Sequence, residues 1–230
     1  MFLPLFAAAA FMSPIEGKLD IHDSVVGKGP AAAKGDLLTV EYTGKFLDGK
    51  TFDSSKGNSP FAFNLGAGQV IAGWDKGLVG MKVGGKRQLT IPSDLAYGDA
   101  GQGPIPAKAT LKFDIELLRI DKPGDKPAVS IKTTKPGTGA GAKEGETVFV
   151  HYRGKYLNGT PFDNSYDRHQ PLQVTIGSGV IKGFSQGLVG IKMGEKRTIV
   201  IPGALAYGAS GKGPIPPNMA LMFELERVKG

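Results

Sequence analysis

The chain has 230 residues, a formal net charge of +7 and no cysteine, which excludes a disulfide framework, a thiol nucleophile and a zinc–thiolate site. Its length suits two domains of about 100 to 120 residues, each able to bury its own core. Residues 1–122 hold 14 Lys and Arg against 13 Asp and Glu, and residues 123–230 hold 14 against 8; the basic residues are scattered and not interleaved with aromatics, which argues for a solvated basic face and against nucleic-acid binding.

Met1 to Met12 is an apolar run too short to span a bilayer. Its length and alanine tail match the hydrophobic stretch of a secretory signal, but no Lys or Arg precedes it. Residues 1–17 are read as an apolar arm or signal-like segment. Export or a periplasmic location follows if it is a signal, and a cytoplasmic one otherwise.

Leu19 and Ile21 suggest an edge strand, followed by a loop from Gly27 to Gly35. Leu38, Val40 and Tyr42 alternate with Thr39, Glu41 and Thr43, the period-2 pattern of a half-buried strand. Asp48-Gly49 predicts a hairpin turn, and a polar loop leads to a strand with Phe61, Phe63 and Leu65 on one face. Val70, Ile71, Trp74 and Leu78 then fall at i, i+1, i+4 and i+8, one face of a helix of two or three turns. With glycines at 73, 77 and 80, so short a helix needs a sheet wrapped around it. Gly80 to Lys86 matches most of a phosphate-binding loop, but Arg87 stands where Ser or Thr must hold magnesium. A turn into a strand with Leu89 and Ile91 inward is sufficient. A long loop, Asp94 to Pro106, precedes a last strand in which Leu111, Phe113, Ile115 and Leu117 alternate with polar residues.

The pattern then repeats. Tyr42 matches Tyr152, Phe52-Asp53 matches Phe162-Asp163, Tyr97 matches Tyr207, Ile105 matches Ile215 and Phe113 matches Phe223, each pair 110 residues apart. A constant offset with no gap over about 90 residues predicts tandem copies of one domain: residues 18–120 and 128–230, joined by a linker at 121–127. The twin turn Asn158-Gly159 is a still stronger hairpin signal, which accounts for the glycosylation-like Asn158-Gly-Thr160 without further function.

The chemistry inventory is sparse. His22, His151 and His169 share no spacing, and Glu41 replaces His151 in the first copy, which argues against a metal site or a duplicated histidine catalyst. Both copies keep large apolar residues with one carboxylate and two phenols. Tyr42-Thr-Gly44, Thr51-Phe-Asp-Ser-Ser55, Val70-Ile-x-Gly-Trp74, Leu95-Ala-Tyr-Gly98 and Pro104-Ile-Pro106 together resemble the signature of FKBP-type peptidyl-prolyl cis/trans isomerases, the macrolide-binding immunophilins. The resemblance implies an α+β fold, an antiparallel five-stranded curled sheet over one short helix, duplicated in tandem. It places a pocket floor at Trp74, walls at Phe52, Phe61, Val70, Ile71, Ile105 and Phe113, and polar groups at Tyr42, Asp53 and Tyr97. In the second copy it implies Tyr152, Asp163 and Tyr207 as polar groups, with Phe162, Val180, Ile181, Ile215 and Phe223 as walls. Phe184 replaces the floor tryptophan there, and Leu172 the wall Phe61. The expected partners are proline-containing polypeptides, with FK506- and rapamycin-type macrolides at the first domain; the expected state is a monomer with no nucleic acid and no stable membrane span. Rotation about an X-Pro bond breaks no bond, so no metal or cofactor is expected. A chaperone-like module holding unfolded chains, or a scaffold docking a partner through the second domain, are the competing readings.

Overall fold

The computed structural model describes residues 17–230; the apolar run at 1–12 lies outside the described residues. The amino-terminal domain contains strands β1 (Asp20–Val25), β2 (Leu37–Phe46), β3 (Thr51–Ser54) and β4 (Phe61–Asn64), then helix α1 (Ala72–Gly77), then β5 (Lys86–Ile91) and β6 (Leu111–Asp121). The carboxy-terminal domain repeats them as β7 (Ser130–Lys135), β8 (Thr147–Tyr156), β9 (Pro161–Asn164), β10 (Leu172–Thr175), α2 (Lys182–Leu188), β11 (Lys196–Ile201) and β12 (Leu221–Val228). All pairings are antiparallel.

The first sheet runs β1-β5-β6-β2-β3, with β4 also paired to β2. Six strands thus stand where five were expected, because two of them share one flank of β2: Thr43 to Lys45 pairs with β3, and Leu37 to Val40 pairs with β4. A polar loop, Ser55 to Pro60, interrupts that flank. Along β6 the alternation holds, with Leu111, Phe113, Ile115 and Leu117 buried. On β2 it fails at Thr39, which is buried beside a register shift opposite β6; such an extra residue turns a side chain to the other face.

The helices are shorter than the spacing predicts. α1 has 6 residues and α2 has 7, so Val70 and Ile71 precede the helix; Ile71 is extended, with φ −58° and ψ 148°. The helical glycines are sites of close approach. A Cβ on Gly73 would lie 2.4 Å from Cγ2 of Ile91, and one on Gly77 would lie 2.8 Å from Cδ1 of Leu89. The sheet can therefore press against the helix backbone, and the packing offsets the weak helix propensity of glycine.

The repeat is not free of gaps. Val40 pairs with Phe61, whereas Val150, 110 residues on, pairs with Leu172, 111 residues on. The loop before β10 is one residue longer, and the turn before α2, Gly177 to Gly179, is one shorter than Gly66 to Gln69. The two changes cancel, which hides them from a count of offsets.

An arginine on the inward face of each central strand closes the helix. Arg87 donates to the carbonyls of Gly77 (2.7 Å) and Val79 (3.2 Å), and Arg197 to those of Gly187 (3.0 Å) and Val189 (3.1 Å). These are carbonyls that a helix end leaves without partners. The counter-charges differ: Asp23 on β1 holds Arg87, and Glu195 in the turn before β11 holds Arg197. Glu195 occupies the position that is Gly85 in the first copy, and its carboxylate also accepts from Thr133 (3.0 Å), which stands on the edge strand that carries Asp23 in the first copy.

Candidate functional site

In the amino-terminal domain the concave face of the sheet and the start of α1 enclose a cavity of about 210 Å³. Trp74 forms its base, 4% exposed. Its ring meets Phe113 at 5.3 Å and 90°, Tyr42 at 5.3 Å and 80°, and Phe63 at 5.6 Å and 57°. The edge-to-face contacts with Phe113 and Tyr42 and the tilted one with Phe63 hold the rings relative to one another. Gly44 permits this packing, since a Cβ there would lie 2.7 Å from Phe52 Cζ and 2.9 Å from Phe113 Cε1. Phe61 closes the outer side and remains 39% exposed.

The polar groups sit on the rim. Asp53 accepts from the Tyr42 hydroxyl at 2.5 Å and from the Ser54 amide at 2.8 Å. It is exposed, so its carboxylate bears little of the desolvation that a position beside a core implies. Burial pushes up the pKa of the Tyr42 phenol, and its hydrogen bond to Asp53 adds to the shift. Burial, with the Asp53 charge, also raises that of Tyr97. Both phenols keep their protons at neutral pH and can donate. Among the described residues neither the Tyr97 hydroxyl nor the Ile71 amide donates to a protein group. Two donors are thus available at the mouth of an apolar cup.

The carboxy-terminal cavity is wider, about 450 Å³, as expected where Phe184 and Leu172 replace larger side chains. Phe184 keeps the floor geometry, meeting Phe223 at 5.1 Å and 86° and Tyr152 at 5.9 Å and 82°. Asp163 accepts from the Tyr152 hydroxyl, but here Arg168 joins the pair, donating to Asp163 at 2.7 Å and to the Tyr152 hydroxyl at 2.6 Å. Burial works to raise the Asp163 pKa; the hydrogen bonds from Arg168 and Tyr152 outweigh it and hold the group below the usual carboxylate range. Burial and the bond to Asp163 push Tyr152 up to about 12, against the opposing pull of Arg168.

The structure brings together Tyr42, Phe52, Asp53, Phe61, Val70, Ile71, Trp74, Tyr97 and Phe113 around the first cavity. Tyr152, Phe162, Asp163, Leu172, Val180, Ile181, Phe184, Tyr207 and Phe223 surround the second. It does not bring Ile105 or Ile215 there. They are 7% and 6% exposed, packed in the hydrophobic cores and outside both linings. Ile105 closes a tight turn through reciprocal backbone hydrogen bonds with Gln102 (2.9 and 3.0 Å), and its side chain packs in the core cluster. Gln69, Gly179 and Lys212 line the cavities without having been expected there. His151 stacks on Tyr166 at 4.4 Å and contacts Ser165, away from both cups.

The family described as FKBP-type peptidyl-prolyl cis-trans isomerase matches residues 29–118 and 139–228. Human peptidyl-prolyl cis-trans isomerase FKBP9 is 42% identical over 196 residues, covering 84% of this chain and 34% of its own length. Mouse FKBP10 is 45% identical over 193 residues, covering 82% of this chain and 33% of its own. The chain thus spans about a third of the length of these relatives. The three FKBP domains of wheat FKBP73 superpose with a TM-score of 0.42 at 26% identity, over 93% of this chain and 95% of that one.

Proposed function

From the premise that the chain belongs to the family of FKBP-type peptidyl-prolyl cis-trans isomerases, we propose that it accelerates rotation about X-Pro bonds in polypeptides, with the amino-terminal domain the more typical catalyst. The units of activity are residues 18–120 and 128–230, with 121–127 as the linker. The observation that carries this reading is the apolar cup floored by Trp74, whose rim offers two unpaired donors, the Tyr97 hydroxyl and the Ile71 amide.

Unaided rotation faces a barrier of roughly 18 to 20 kcal/mol. Resonance across the planar amide places negative charge on the carbonyl oxygen, and water stabilises that charge. With the proline ring on Trp74 and the amide out of water, planarity loses part of its advantage. Tyr97 and Ile71 then hold the flanking carbonyls, and the Asp53 carboxylate, fixed by Tyr42, orients the carbonyl before the proline through its field. No proton needs to move. A millionfold acceleration requires about 8 kcal/mol, which desolvation and two positioned hydrogen bonds share.

The test is the isomerisation rate of a proline tetrapeptide with the full chain, with and without an FK506-type macrolide. Trp74 is the only tryptophan, so its fluorescence reports the first pocket selectively: a macrolide that inhibits without perturbing it would sink the assignment of that pocket. Tyr97→Phe is expected to lower kcat/KM about five- to tenfold, the worth of one hydrogen bond to substrate. An unchanged value would remove Tyr97 from the mechanism.

The width of the second cavity and the engagement of Asp163 by Arg168 favour slower catalysis there and a larger share of holding. Trp74→Ala that loses isomerisation yet still suppresses aggregation of an unfolded client would support this chaperone-like role. We place the chain as a monomer without nucleic acid. Among the described residues no helix is long and apolar enough to cross a membrane.

A further inference from the structure

The two cups differ in charge at their mouths. Among the described residues Asp53 is the only charged side chain that lines the first, and no cation forms an ion pair with it. Around the second, Asp163 is joined by Lys212, which lines the cavity with Nζ 5.9 Å from the Tyr207 ring centroid, and by Arg168 bonded to Asp163 itself. By lining residues alone the second mouth is neutral, Asp163 against Lys212, where the first carries one negative charge; Arg168, outside the lining but bonded to Asp163, tips the second towards positive.

The loops over the cups differ in the same direction. Residues 94–106 carry Asp94 and Asp99 and no basic residue, with Gln102 where the second copy has Lys212. Residues 204–216 carry Lys212 and no acidic residue, with Ala204 and Ala209 where the first copy has its aspartates. The excess of basic residues in the second half is therefore placed in part at a functional mouth. Both Lys212 and Arg168 are exposed, so they can meet a substrate charge without first being buried.

We propose that the domains divide substrates by charge: the carboxy-terminal pocket selects prolines flanked by glutamate or aspartate, and the amino-terminal pocket disfavours them. This rests on the reading of both cups as proline sites. Lys212 is the specificity-determining cation, because Arg168 is already engaged by Asp163.

The test is a titration of the full 15N-labelled chain with acetyl-Ala-Glu-Pro-Phe-Glu-amide and acetyl-Ala-Lys-Pro-Phe-Lys-amide. The amides of residues 69–71 and 179–181 report the two pockets separately. The second pocket is expected to bind the acidic peptide about fivefold more tightly than the basic one, and the first to show the reverse, as a few rim-exposed charge pairs allow. Lys212→Gln should cut the second pocket's ratio about threefold and leave the first pocket's ratio in place, and added salt should compress both ratios. Equal affinities at the second pocket, or a ratio unmoved by Lys212→Gln, would overturn the proposal while leaving proline binding intact. Silence at both sets of amides would overturn the proline-site reading itself.

Discussion

Replacing Trp74 by alanine is expected to destabilise the amino-terminal domain by about 3 to 5 kcal/mol and to abolish the isomerase activity proposed for it. The indole is buried and held by Tyr42, Phe61, Phe63 and Phe113. These partners come from three different strands, so they cannot collapse together into the space left behind. A domain of this size has a total stability of about 5 to 15 kcal/mol, so the variant should fold but melt at least about 12 °C lower. The carboxy-terminal transition, recorded in the same calorimetric scan, should stay in place. Trp74→Phe is the informative contrast. Phe184 already fills the equivalent site with similar edge-to-face geometry, and the Trp74 indole nitrogen is buried without a hydrogen-bond partner. Removing an unsatisfied donor recovers part of the lost packing, so Trp74→Phe is expected to cost no more than about 1.5 kcal/mol. An alanine variant as active as the parent would show that the floor is only core.

That contrast also shows what could be read from the residues alone. Strand periodicity located β2, β6 and their twins because a sheet with one buried face writes its register into alternate side chains. The cup was not legible in this way: the large apolar residues, two phenols and carboxylate that recur in both copies read singly as core, and only the resemblance of their motifs to a family arranged them as floor, walls and rim. Ile105 is packed in the same buried cluster as Trp74 and Phe113 but not in the cavity lining, a distinction that a loop without periodicity does not write into the sequence. The one-residue shift between β4 and β10 is implied by the match of Leu172 to Phe61, 111 residues apart, but an insertion before the strand and a deletion after it cancel, so the flanking pairs all keep the offset of 110. Lys212 and Arg168 read as ordinary surface charges until folding set them beside Tyr207 and Asp163. The inward arginines left a weak signal. Arg87 has the same parity as Leu89 and Ile91, and Arg197 the same as Ile199 and Ile201, so a cation on a buried strand face should have prompted a search for its partners.

Those arginines carry the second large effect. Arg197→Met is expected to destabilise the carboxy-terminal domain by about 3 to 5 kcal/mol, the cost of breaking a buried ion pair by removing one partner. The Arg197 and Glu195 side chains are each only 6% exposed, 2.6 Å apart, and the variant also leaves the carbonyls of Gly187 and Val189 without their donor. Arg87→Met should cost less, because its partner Asp23 is 34% exposed and water can replace the guanidinium. The pH dependence separates lost charge pairing from lost packing. Burial tends to raise the Glu195 pKa, but hydrogen bonds from the Lys192 amide, Arg197 and Thr133, with the Arg197 charge, hold it below the ordinary value. A carboxylate depressed in the folded state adds stability above its unfolded pKa of about 4.3 and loses it as pH falls through the folded value. In Arg197→Met the two contributions of Arg197 are gone while burial still opposes the charge, so the variant has less of this stability to lose as pH falls. The gap between parent and variant, measured by denaturant unfolding of the carboxy-terminal domain within the full chain, should therefore be widest near pH 7 and narrow below about pH 4.5. Glu195→Gln added to Arg197→Met should recover part of the loss at pH 7 by removing the stranded charge. A gap that stays constant from pH 7 to pH 4 would mean that Arg197 acts through packing and the two carbonyls alone.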